Sequence, residues 1–154
     1  MFALGWIETI PFIVTIRTTP NIYAIVNALH ILGLGLLIGS ILSADLRVLG
    51  VWKPAGWRDA IITGSPIAAT GLGIAIVTGL LLFAVRPIHY VGNFPFLLKL
   101  GLLTVGLINV AIFHGWLRRK KSVQPGTILR LSSTLSIAIW IAAVFSGRFI
   151  AYVY

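Results

Sequence analysis

The chain has no cysteine, and its only methionine is Met1. Without cysteine there can be no disulfide, iron–sulfur cluster, thiolate-ligated haem, covalent haem attachment through C-x-x-C-H, or thiol nucleophile. Acids are nearly as scarce. Glu8, Asp45 and Asp59 are the 3 carboxylates, set against 12 lysines and arginines, for a net charge of +9. So short an acidic inventory leaves no paired carboxylates for acid–base work. No hydrolase triad, phosphate-binding glycine loop or closed zinc site is present either. Nothing in the chain reads as a linker, a low-complexity tract or a second domain.

What the chain has in excess is apolar surface. Hydrophobic residues make up 58%, charged residues only 10%, and mean hydropathy is +1.03. A water-soluble domain of 154 residues could not bury that much apolar surface. The expected fold is therefore an all-α integral membrane protein, a single domain with four transmembrane helices in one bundle. The spans are expected at residues 22–42, 66–85, 94–117 and 131–153, each near the ~20 residues that cross a bilayer. Thr18-Thr19-Pro20-Asn21 opens the first, and Ser65-Pro66 and Arg86-Pro87 bracket the second. The basic residues gather at span ends and form no patch interleaved with aromatics, so the positive charge does not point to nucleic acid.

Their distribution sets orientation. Arg47, Lys53, Arg58, Arg118, Arg119, Lys120, Lys121 and Arg130 lie on the side of the first and third loops. Arg17, Arg86, Lys99 and Arg148 are at or inside the other side. The richer side is expected to be cytoplasmic, with both termini outside. The segment before the first span lacks a positive n-region and a cleavage site, carries Glu8 and Pro11, and is too short to cross. It reads as a short interfacial helix with Trp6 at headgroup level.

Ionisable groups inside apolar spans are functional candidates by default, because hydrocarbon penalises them by a few kcal/mol or more. His30 lies roughly 13 Å inside the outer end of its span at helical rise. On the same azimuth are Tyr23, Asn27 and Leu37, whereas Gly35, Gly39 and Ser43 form a separate row of small residues expected to pack. A second such row is Gly71, Ala75 and Gly79. His30 reads either as an axial haem ligand or as a neutral histidine bonded across to another helix. His89, in Arg86-Pro87-Ile88-His89-Tyr90, is on the same side, and could share a metal with His30 if the turn folds back. His114 falls roughly 15 Å nearer the cytoplasm, so it belongs to a second site, a proton path or a structural bond. Lys99, Arg86, Arg148 and Tyr152 form a candidate outer anion clamp suited to carboxylates such as propionates. Snorkelling to headgroups is the competing reading for the two cations inside the spans. Asp45 is expected to bond structurally with Arg130 or Arg58.

The stretches HILGLGLLIGSILSADLRVLG, TGLLLF, FLLKLGLLTVGLINVAIFH and W-x7-R-x3-Y resemble a bacterial family of four-span membrane proteins without an assigned activity. More distantly, the chain is similar to the CopD copper-resistance membrane proteins and the HemJ-type protoporphyrinogen oxidases. Those resemblances imply family positions at His30, Arg47, Lys99 and His114, and haem b from the HemJ side. The acidic motif of the HemJ fourth span is missing here. Copper, implied from the CopD side, would meet a poor soft-ligand set.

The resulting expectation is a b-type haem protein of the bacterial inner membrane. It would pass electrons between a quinone or quinol and an outer-side membrane or periplasmic redox protein. His30, His89 and His114 are the candidate metal ligands; Lys99, Arg148 and Tyr152 are the candidate anchors for the cofactor. The alternatives are a haem-free structural subunit of a membrane complex and a metal or small-anion permease. A homo-oligomer is among the partners the sequence leaves open.

Overall fold

The computed structural model describes residues 4–52, 56–119 and 125–152. Lys53, Lys120 and Lys121 of the basic loops, and the expected end of the fourth span at Val153, lie outside the described residues. Among the described residues every regular element is helical and none is a strand. A 3-10 turn, Gly5–Thr9, is followed by α1 (Pro11–Thr18), α2 (Pro20–Leu49), α3 (Trp57–Val85), α4 (Pro87–Val91), α5 (Phe94–Arg119) and α6 (Thr127–Phe149). Helices α2, α3, α5 and α6 are each long and apolar enough to cross a membrane.

Element ends follow from local chemistry. Proline opens α1 and α4, where its fixed φ suits a first turn and its missing N–H would have been unpaired anyway. Helix α2 runs past the expected boundary to Leu49 and stops at Gly50, whose φ of +80° only glycine adopts at no steric cost. The Val51 N–H reaches the Leu46 carbonyl at 3.0 Å and the Gly50 N–H reaches Arg47 at 3.1 Å, closing a Schellman cap. Helix α3 starts at Trp57, not at Pro66, so the expected connection over Val48–Gly64 is largely helical. Pro66 is carried inside α3, as proline often is in membrane helices.

The chain divides into two compact units. One comprises Met1–Ser40 with Ser65–Asn93, the other Ile41–Gly64 with Phe94–Tyr154. In the first, Ile13 and Ile16 of α1 pack on Val85, with Leu81 and Ala84 of α3 alongside. Glu8 and Arg17 form an ion pair at 3.5 Å between the 3-10 turn and α1. The Tyr90 phenol of α4 is pushed above its ordinary value of 10.0, first by burial and then by the Tyr23 hydroxyl, with Arg86 opposing. In the second unit, Val48, Ile61, Phe113 and Leu129 form an apolar cluster edged by Ala44, Trp57, Trp116 and Leu117.

Burial along the long helices is inverted relative to a soluble protein. Leu32, Leu80 and Leu131 are more than 60% exposed, whereas Asp45, Thr78, Ser133 and Ser136 are buried. Water would penalise that distribution and hydrocarbon rewards it. The molecule is a helical, multi-pass membrane protein.

Candidate functional site

His30 sits half-buried on α2 and reaches across to α3. Its Nδ1 lies 3.1 Å from the Ala75 carbonyl oxygen and 3.1 Å from Thr78 Oγ1. Thr78 spends its own proton on the Ile74 carbonyl, at 2.6 Å. Both partners of Nδ1 are thus acceptors, so Nδ1 carries the proton. In the neutral ring the lone pair is then on Nε2. The ring rests on Gly79, where a Cβ would come 3.0 Å from His30 Cε1.

Close backbone approach makes this reach possible. A Cβ on Gly33 would stand 2.9 Å from both the Ala75 nitrogen and the Gly71 oxygen. One on Gly71 would stand 2.6 Å from the Gly33 oxygen and the Leu37 nitrogen. The packing face of α2 in this unit is therefore the one carrying His30, Gly33 and Leu37. Added Cβ atoms at Gly35 and Gly39 would meet nothing within 4 Å, so that row of small residues is not the contact the sequence suggested. The row Gly71, Ala75 and Gly79 on α3 does line the contact. Asn27, one turn before His30, is exposed.

His89 is exposed on α4, its ring edge-on to Tyr90 at 5.8 Å. Among the described residues no group of three or more His, Cys, Asp or Glu side chains gathers as a metal site.

The second unit holds the remaining candidates. His114 Nδ1 lies 2.9 Å from the Val110 carbonyl one turn back on α5, which again fixes the proton on Nδ1. Its ring meets Phe113 edge-on at 6.0 Å. Lys99 lies across α6 at Gly147, where a Cβ would be 3.4 Å from Nζ. The next residue, Arg148, donates from Nη2 to the Tyr152 hydroxyl at 2.9 Å, with the guanidinium carbon 5.1 Å over the ring centroid. The structure thus brings Lys99, Arg148 and Tyr152 to one end of the α5–α6 pair, with the guanidinium exposed.

Several polar groups of this unit were not legible as a set. Asn109 Nδ2 donates to the Ser132 carbonyl at 3.1 Å, and Ser132 Oγ donates back to Asn109 Oδ1 at 2.8 Å. Asp45 is buried and takes a hydrogen bond from Ser136, with Ser133 also facing the carboxylate. No ion pair joins it to Arg130 or Arg58 among the described residues, and Arg58 stacks over Trp57 at 4.9 Å instead. The available signal was the spacing of Leu129, Ser133, Ser136, Trp140 and Ala143, a helical stripe with serines inside it.

These features define a polytopic helical membrane protein in which two histidines of the membrane-length helices, His30 and His114, donate from Nδ1 to backbone carbonyls. Residues 3–153 match the profile of a family of unknown function, DUF6644, and the chain belongs to that family. No curated protein and no solved structure matches it.

Proposed function

We propose that the protein binds haem b in the membrane through His30 and serves electron transfer between a quinone or quinol and an outer-side redox partner. The observation that supports this reading is the Nδ1 proton of His30, held by the Ala75 carbonyl and Thr78. Histidines that ligate metals donate their other N–H in this way, which orients the ring and raises the basicity of the ligating nitrogen. His114 has the same arrangement on its own helix and is the candidate ligand for a second group. Haem, when bound, supplies one-electron chemistry whose potential depends on ligand, hydrogen bonding and burial. The chain's own residues set those conditions. Ala75 and Thr78 fix the ring, Gly79 leaves room for it, and the apolar helices exclude water.

Lys99, Arg148 and Tyr152, brought together in the other unit, are the candidate anchors for a carboxylate such as a propionate. The excess of Lys and Arg at the first and third connections supports a cytoplasmic side for them in a bacterial inner membrane, and with it an outer side for both termini and the N-terminal helices.

Purified full-length protein made with ample haem supply is expected to show a Soret band and an α-band that sharpens on dithionite. A colourless preparation would sink the haem reading. His30→Ala should lose the spectrum of that haem while still inserting; a full spectrum in that variant would reject His30 as ligand. A second reading is favoured by the Gly33–Gly71 contact: the His30 bonds only lock α2 to α3. In that case the protein is colourless and His30→Ala lowers thermal stability alone.

A further inference from the structure

Asp45 is the one acid among the described residues that lies within a membrane-length helix and away from its first turn, and it is 6% exposed. Its carboxylate accepts from Ser136, yet Oδ2 has no hydrogen-bond partner. Ser133, fully buried at 0% exposure, faces the same carboxylate with an Oγ that also lacks a partner. A buried carboxylate oxygen and a buried hydroxyl, adjacent and both unsatisfied, carry a desolvation cost of a few kcal/mol unless something joins them.

Among the described residues no ion pair supplies Asp45 with a counter-charge. The groups facing Asp45 from α6 are hydroxyls. Arg47, two residues on, projects about 200° round the helix from it, and its Nε is itself buried without a partner. Arg58 on α3 and His114 on α5 belong to the same unit, and neither forms an ion pair with Asp45.

We propose that Asp45, Ser133 and Ser136 form a buried site between α2 and α6 for a small monovalent cation, either a proton or Na+. All the donors are hard oxygens, which favour such ions over soft metals. A single carboxylate balances a single positive charge, whereas a divalent ion would leave one in excess. Serine hydroxyls can turn lone pairs toward a metal ion or donate to the carboxylate when a proton is lost, so the same residues serve loaded and unloaded forms. This proposal is independent of the haem reading.

The scarcity of acids makes the test clean. Dicyclohexylcarbodiimide is an apolar reagent that modifies protonated carboxyls in membranes. Applied to the full chain in detergent or nanodiscs, it should label Asp45 and spare Glu8 and Asp59, as located by peptide mass spectrometry. Labelling should fall by about tenfold per pH unit once the carboxyl ionises. Protection by NaCl but not by choline chloride identifies Na+; pH dependence with no Na+ protection identifies the proton. Ser133→Ala combined with Ser136→Ala should shift the pH midpoint and remove any Na+ protection, whereas Asp59→Asn should change neither. Asp45→Asn, close in shape and retaining insertion, should abolish the label. The proposal fails if Asp45 stays unlabelled from about pH 5 to about pH 9, as permanent pairing with Arg47 would require. It also fails if labelling ignores both pH and Na+, or if the label persists in Asp45→Asn.

Discussion

Which ring nitrogen keeps its proton decides what a membrane histidine can do, and here backbone carbonyls decide it for His30 and His114 on the long helices. His30 was visible in the sequence as an ionisable group in an apolar run. Ala75 and Thr78 were not, because their contribution depends on how α3 faces α2, which no local pattern encodes. Thr78→Val keeps the Ala75 carbonyl but removes one of the two acceptors of Nδ1. On the haem reading, this variant should bind haem about tenfold or more weaker, read by competition with apomyoglobin. The Asn109–Ser132 pair gives a second test at this scale. Its two bonds join α5 to α6 with good geometry. A double-mutant cycle of Asn109→Ala and Ser132→Ala, which reads the Ser132 Oγ to Asn109 Oδ1 bond, should give a coupling near ~0.6 kcal/mol, as for interhelical bonds in membranes, and below ~1.7 kcal/mol.

At the scale of elements, the existence and number of the long helices followed from composition, while their ends and faces did not. Bilayer thickness predicts spans of about 20 residues, whereas α2 continues to Leu49 and α3 begins at Trp57. The cap at Gly50 and the tolerance of Pro66 inside α3 account for both differences. The glycine rows are more instructive. Gly35 and Gly39 have textual spacing for close packing but face open space, whereas Gly33, lacking a partner at i+4, meets Gly71 directly. A row of small residues permits an approach; the facing helix determines whether it occurs. Gly71→Ala must therefore push backbone atoms apart and should destabilise by about 1–3 kcal/mol, measured by steric trapping or thermal melts in detergent. Gly35→Ala and Gly39→Ala should fall within about 0.5 kcal/mol of the parent. Equal losses at all these positions would contradict the packing described.

On the scale of the whole molecule, charge asymmetry and the absence of cysteine combine into a direct experiment. Of 12 basic residues, those at the first and third loops outnumber the rest, and the sequence alone supports an orientation from them. Single cysteines can be added without removing any native one. Thr9→Cys should react with a membrane-impermeant maleimide in intact cells, and Ser122→Cys only after permeabilisation. The reverse pattern would invert the topology. Trp6, 63% exposed on the 3-10 turn, should show the emission and quenching depth of an indole at headgroup level if that segment lies along the interface.

Ala75 is held from both sides. Its nitrogen lies against Gly33, and its carbonyl receives the His30 proton. The separation of the two helix axes is thus written into the electronic state of one imidazole. Widening the glycine contact would lengthen the bond that localises the proton and let the two tautomers mix. The 15N shifts of His30 would then work as a ruler for helix spacing, and a methyl group at Gly33 or Gly71 should register on that ruler before the helices come apart.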